Sequence, residues 1–236
     1  MLSALLLSAL AAPPTVTPVA EAPALTRDAA PAETLLGQPR VFLADFEDGD
    51  ADQFVPTDAD AWTVAEQEGN HVLALTVRKS DYQPPVRSPH NIARVKDLDL
   101  KETIIDVDFQ STMTDYGHRS LCLFFGYQDP SHFYYVHFGR KADPHANQIF
   151  VVNGEPRTKI SKTTTEGTPW TKEWHHARIV RMPKTGEISV YFDDMKEPAM
   201  TATDKTFTHG GVGIGSFDDA GAFDNLAIYG TPVEAE

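Results

Sequence analysis

"HHARIVRMPKTGEISVYFDD", residues 175–194, decides the fold. In its first half Ala177 and Ile179 alternate with Arg178 and Val180. In its second half Ile188, Val190 and Phe192 share one face, and Ser189, Tyr191 and Asp193 the other. A period of two belongs to strands, whose side chains point alternately to the two faces of a sheet. Between the halves stands "PKTG", whose Gly186 suits a tight turn. The stretch reads as a β-hairpin.

The same texture extends through most of the chain. "VFLADF", "WTVAEQ", "HVLALTV", "NIARVKDL", "ETIIDVDFQS", "SLCLFFGYQ", "FYYVHFGR", "QIFVVNG", "GVGIGSFD" and "GAFDNLAIYG" are short alternating or apolar runs separated by Gly, Asp, Asn and Pro. Regular short strands between turn signals mark an all-β sandwich or barrel, and no stretch sustains a helical period. With 236 residues the chain has room for one sizeable domain and a short appendage.

Acidic residues outnumber basic ones by 34 to 20, a formal net charge of −14. That balance argues against nucleic acid as a partner, since phosphate neutralisation needs clustered Lys and Arg. It leaves room for a local basic cleft. The apolar run from Leu2 to Ala12 has the length of a signal-peptide core and is too short to span a bilayer. Residues 1–22 are expected to be a signal peptide and 23–38 an Ala/Pro-rich linker. Residues 39–231 form the β-sandwich and 232–236 a short acidic tail. The expected location is secreted or periplasmic, with no stable membrane span. Cys122 is the one cysteine, so no intramolecular disulfide can form. Its setting, "SLCLFFGY", is that of a buried thiol.

Four segments carry a family resemblance: "WHHARIVR", "GEISVYFDD", "GGVGIGSF" and "AFDNLAIYG". Together they resemble the hairpin, the following glycine-rich strand and the closing strand of the concanavalin A-like lectin/glucanase superfamily. The likeness runs from about residue 41 to 230. Within that superfamily the chain looks most like bacterial secreted 3-keto-disaccharide hydrolase-type domains, loosely called family 16 glycoside hydrolase-like, with laminin G-like domains as further relatives. The resemblance implies a two-sheet antiparallel jelly roll whose concave sheet forms a sugar groove. It also implies a structural calcium ion between the first and last strands. For that ion Asp45, Glu47 and Asp224 are the expected carboxylates, with a carbonyl near Gly49. No organic cofactor is expected. Family 16 glucanases carry Glu-x-Asp-x-x-Glu on one strand, and retaining hydrolysis needs two carboxyls about 5 Å apart. Here Asp106 and Asp108 share a strand face without the following glutamate, so that motif is absent.

The residues expected to meet a ligand lie mid-chain. In "FYYVHFGR", alternation puts Phe133, Tyr135 and His137 on one face, and Tyr134, Val136, Phe138 and Arg140 on the other. Tyr135, His137 and His118 are the candidate catalytic residues. Arg87, Arg119, Arg140, His145, Asn147 and Gln148 are the candidate substrate-binding ones. Aromatic rings stack on sugar faces, while Arg, Asn, Gln and His satisfy hydroxyls and carboxylates. The expectation is an oligo- or polysaccharide bound in the groove. Three outcomes stay open: hydrolysis, lyase chemistry on a uronic-acid polymer through Tyr, His and Arg, and binding alone in an adhesive module. His175 and His176 are expected to be packed or exposed polar residues. The spacing of the histidines matches no catalytic zinc motif.

Overall fold

In the computed structural model, which describes residues 30–233, every one of these runs becomes a strand. In chain order the strands are β1 (Thr34–Leu35), β2 (Gln38–Ala44), β3 (Phe54–Pro56), β4 (Trp62–Gln67), β5 (Asn70–Leu75), β6 (Asn91–Val95), β7 (Leu100–Ser111), β8 (Ser120–Asp129) and β9 (His132–Gly139). Then come β10 (Gln148–Asn153), β11 (Thr158–Lys159), β12 (Ser161–Thr164), β13 (His175–Met182), β14 (Glu187–Phe192), β15 (Met200–Thr203), β16 (Gly211–Ser216) and β17 (Gly221–Pro232). Among the described residues the one helical element is a single 3-10 turn, Ala59–Ala61. The candidate signal segment lies outside the described residues. The ladder begins at Thr34, inside the stretch assigned to the linker, where β1 pairs with β2.

The strands form two antiparallel sheets. One has ten strands, ordered β1-β2-β17-β7-β13-β14-β15-β12, with β5 on β17 and β4 on β5. The other has seven, ordered β11-β10-β9-β8-β16-β6-β3. The hairpin forms as read, with Ala177 opposite Phe192 and Ile179 opposite Val190. Gly186 closes it at φ +81°, and its N–H donates to the Met182 carbonyl. A Cβ there would approach the Asp204 carbonyl oxygen to 2.9 Å, so this turn needs glycine for space and for conformation.

Between the sheets lies the main core. Ile105, Val107 and Phe109 of β7 and Ile179 of β13 face Leu121, Leu123 and Phe125 of β8 and Tyr134, Val136 and Phe138 of β9. Phe109 is its centre, with ring centroids of Trp170 at 4.9 Å, Phe138 at 5.2 Å and Phe192 at 5.9 Å. Edge contacts of this kind add to the area each ring removes from water. The seven-stranded sheet buries its second face too. Ile92, Cys122, Phe124, Phe133, Tyr135, Phe150 and Val152 form a separate cluster there, with Val86 packed against it.

Candidate functional site: the outer face of the seven-stranded sheet

β9 divides its side chains as alternation requires. Tyr134, Val136 and Phe138 enter the inter-sheet core, while Phe133 and Tyr135 enter the outer cluster. β10 runs antiparallel beside it with Gln148 directly opposite His137 and Phe150 opposite Tyr135. On β16, Val212 and Ile214 point inward. Gly211, Gly213 and Gly215 therefore lie on the outer face, where they present no side chain.

The expected open groove is covered, and this corrects the assignment of Tyr135 and His137 as accessible catalytic residues. Tyr135 is fully buried and His137 is 6% exposed. Part of the cover comes from the proline-stiffened segment 76–90, whose Val86 packs on the outer cluster and whose Arg87 and His90 reach Phe217. Asn91 holds it by donating from Nδ2 to the carbonyls of Val77 (3.1 Å) and Arg78 (2.9 Å). His90 donates from Nδ1 to the Tyr82 carbonyl at 3.2 Å. The segment is joined to the loop after β10 by the Arg157 N–H, which donates to the Arg87 carbonyl at 3.2 Å. An alternating pattern specifies which face a residue occupies, not which loop folds over that face.

Phe217, just beyond β16 and half-buried, is the hub where this cover meets the sheet. The His137 ring stacks nearly parallel to it, with centroids 6.1 Å apart and planes at 9°. His90 meets it edge-on at 5.8 Å. The guanidinium carbon of Arg157 stands 4.2 Å from the Phe217 centroid and 5.1 Å from that of Phe150. The Arg87 guanidinium stands 5.8 Å from the same Phe217 ring. Arg157 also donates from Nη1 to the Tyr135 hydroxyl at 3.1 Å.

Around this hub several buried polar atoms have no hydrogen-bond partner. His137 Nδ1 donates to the His145 carbonyl at 3.0 Å, which leaves Nε2 as an acceptor, and Nε2 meets no donor. Gln148 donates from Nε2 to the Asp143 carbonyl at 3.1 Å, while its Oε1 accepts nothing. The Nε of Arg157 is also unpartnered. Each such group costs about 1–3 kcal/mol to bury. Burial, with the Arg157 charge adding to it, lowers the His137 pKa to about 3. His137 is therefore a neutral ring at ordinary pH. Burial raises the Tyr135 hydroxyl well above the usual phenol range.

The other expected residues divide. His118 is exposed, 4.0 Å from the Asp143 carboxylate at the edge of this region, and Arg140 pairs with Asp115 at 2.9 Å nearby. His145 contributes its carbonyl to His137 rather than its ring. Asn147 and Arg119 are corrections, because both are consumed by the fold. Asn147 is fully buried at φ +52°, donates to Thr164 Oγ1 and the Thr165 carbonyl, and accepts from Thr168. Arg119 is 2% exposed and donates to Ser111 and to the Thr171 carbonyl. Cys122 is buried as expected, and burial raises its thiol pKa far out of the reactive range.

The three carboxylates expected for calcium each accept a hydrogen bond within the protein. Glu47 accepts from the His71 N–H at 2.9 Å, Asp224 accepts from Asn70 Nδ2 at 3.0 Å, and Asp45 accepts from the Glu47 N–H at 3.4 Å. Among the described residues no three His, Cys, Asp or Glu side chains are grouped to hold a metal ion.

Sequence reasoning missed Phe217 and Arg157. Neither sits in an informative pattern, since Phe217 follows a glycine-rich strand and Arg157 lies in the turn "NGEPRTK". A second polar cluster occupies the outer face of the ten-stranded sheet. His176 bonds Asp106 through Nε2 (2.9 Å) and Asp108 through Nδ1 (2.7 Å), and Arg178 grips Asp106 with two bonds. Both carboxylates that share a face on β7 are thus neutralised by β13.

The chain matches no family model and no curated protein. Solved structures do resemble it. A carbohydrate-binding module, CBM66, from Bacillus subtilis superposes with a TM-score of 0.53 at 13% identity, over 75% of this chain and 95% of that one. A protein of unknown function with a galectin-like fold, also from Bacillus subtilis, gives 0.53 at 10% identity, over 83% and 97%. The winged bean acidic lectin, complexed with methyl-α-D-galactose, gives 0.51 at 11%, over 82% and 98%. At such identities the likeness is one of fold. The chain has a two-sheet antiparallel jelly roll like that of these lectin and galectin-like structures.

Proposed function

We propose that this protein binds an oligo- or polysaccharide, without cleaving it, at the rim of the seven-stranded sheet around Phe217. The observation that carries the reading is the hub itself. A partly buried aromatic ring at the rim is flanked by the guanidiniums of Arg157 and of the exposed Arg87. An aromatic ring beside clustered guanidinium donors for hydroxyls is a chemistry that suits glycan recognition. The lectin-like architecture is consistent with such a site but does not by itself assign one.

Burial of Tyr135 and His137 supports binding over turnover. A histidine whose conjugate acid has a pKa of about 3 is a weak general base, and it is not charged to serve as an acid near neutrality. A tyrosine pushed above its usual range does not ionise to a base there either. The apolar run 2–12 supports export to a secreted or periplasmic location, where such a glycan is met.

The test is a panel of neutral and uronic-acid oligosaccharides, followed by calorimetry for binding and by reducing-end release for cleavage. Binding without release is expected, and Phe217→Ala should weaken it about 30-fold, the loss typical of a central aromatic contact. Release of new ends would replace the binding reading with an enzymatic one. Absence of binding across the panel would end both.

A further inference from the structure

We infer that Arg87 and Arg157 together hold an anionic group of the bound glycan, the carboxylate of a uronic acid or a sulfate ester. The inference rests on the glycan reading above and adds the ligand's chemical class. Both guanidiniums stand within 6 Å of the one Phe217 ring, and the backbones of the two residues are joined directly. Among the described residues neither makes an ion pair with a carboxylate. Arg40, Arg78, Arg140 and Arg178 each do, with Glu33, Asp219, Asp115 and Asp106. Arg94, Arg119 and Arg181 make no ion pair either, but each lies against a ring of its own, Tyr127, Trp170 and Tyr134, whereas Arg87 and Arg157 converge on the one Phe217 ring.

Two acids at this end of the sheet are already engaged. Asp219, fully buried, accepts from the Tyr116 hydroxyl and from the Ser120 N–H, and Arg78 stands 3.6 Å from it. Asp143 accepts from the His145 N–H at 2.6 Å, with His118 at 4.0 Å.

Arg157 is also pre-set for the task. Phe150 and Phe217 both lie against its guanidinium, the Tyr135 hydroxyl fixes Nη1, and Nε remains without an acceptor. A planar guanidinium so held loses little freedom on meeting a carboxylate or sulfate, which it can grip through two parallel bonds. An anion placed here offsets the repulsion between the two cations.

Calorimetric titration of the full chain with three probes of equal length decides the matter: a neutral oligosaccharide, an oligogalacturonate and a sulfated galacto-oligosaccharide. One acidic probe should bind at least about 10-fold more tightly than the neutral one, the scale of a charge-assisted hydrogen bond. That preference should shrink as salt rises. Which acidic probe wins identifies carboxylate or sulfate as the group. Arg157→Gln and Arg87→Gln should each remove most of the preference, read as the ratio of acidic-probe to neutral-probe affinity. Arg87 is exposed, so its variant carries the test even if Arg157→Gln fails to fold. Equal or tighter binding of the neutral probe overturns the arginine assignment while leaving glycan binding in place. Failure of all three probes overturns both.

Discussion

Replacing His176 with Gln should change how stability depends on pH, by an amount the structure supplies. His176 lies on the outer face of the ten-stranded sheet, 18% exposed, between Asp106 and Asp108. Burial disfavours its charge, but the hydrogen bonds and negative charges of the two carboxylates outweigh that and raise its pKa from 6.5 to about 9. The folded state thus holds a proton that the unfolded chain releases near pH 6.5. Stability from this group is complete below pH 6.5 and is lost as pH climbs through about 9. A shift of this size, at about 1.4 kcal/mol per unit, amounts to about 3 kcal/mol. The quantity to measure is the difference in unfolding free energy between wild type and His176→Gln, from urea unfolding at pH 6 and pH 9.5. Other titrating groups cancel in that difference. It should shrink by about 3 kcal/mol between the two pH values. A difference that stays constant, or grows, would refute the charge-network account of this face.

Four further outcomes follow from the packing. Phe109→Ala empties the centre of the inter-sheet core and should cost about 3–5 kcal/mol in chemical denaturation. Asn147→Ala removes donors to Thr164 and Thr165 and the acceptor of Thr168, so a loss of about 2–4 kcal/mol is expected, with glycan affinity at the rim retained. Tyr135→Ala should destabilise the fold by about 3–5 kcal/mol, because the ring is fully buried among Phe124, Phe133 and Phe150; a stable variant would mean that the outer cluster is not packed as described. Cys122 should resist thiol reagents in the native state and react on unfolding, as followed by mass spectrometry.

The long strands were legible because each buries at least one face, and burial writes a period of two into the chain. β4 begins and ends where "WTVAEQ" does, and the β13–β14 hairpin follows its alternation residue by residue. The strands that escaped are β1, β3, β11, β12 and β15, of two to four residues each. A segment such as "SKTT" pairs at a sheet edge through its backbone and carries little apolar pattern to read. The site was half legible for the same reason. Alternation placed Tyr135 and His137 on the outer face, and register set Gln148 opposite His137. That segment 76–90 folds over that face, and that Arg157 and Phe217 meet there, depends on loop packing between residues far apart in sequence. No local spacing encodes such a meeting.

The claim that matters most is that a glycan binds at Phe217. Its direct measurement is an amide and histidine-ring NMR titration with the oligosaccharide that binds most tightly. Shift changes should gather in residues 86–90, 133–140, 148–159 and 216–219, with the His137 ring among them. Changes gathered instead around His176 and Tyr191 on the ten-stranded sheet, with residues 216–219 unmoved, would place the binding surface on the opposite side of the sandwich and contradict the account.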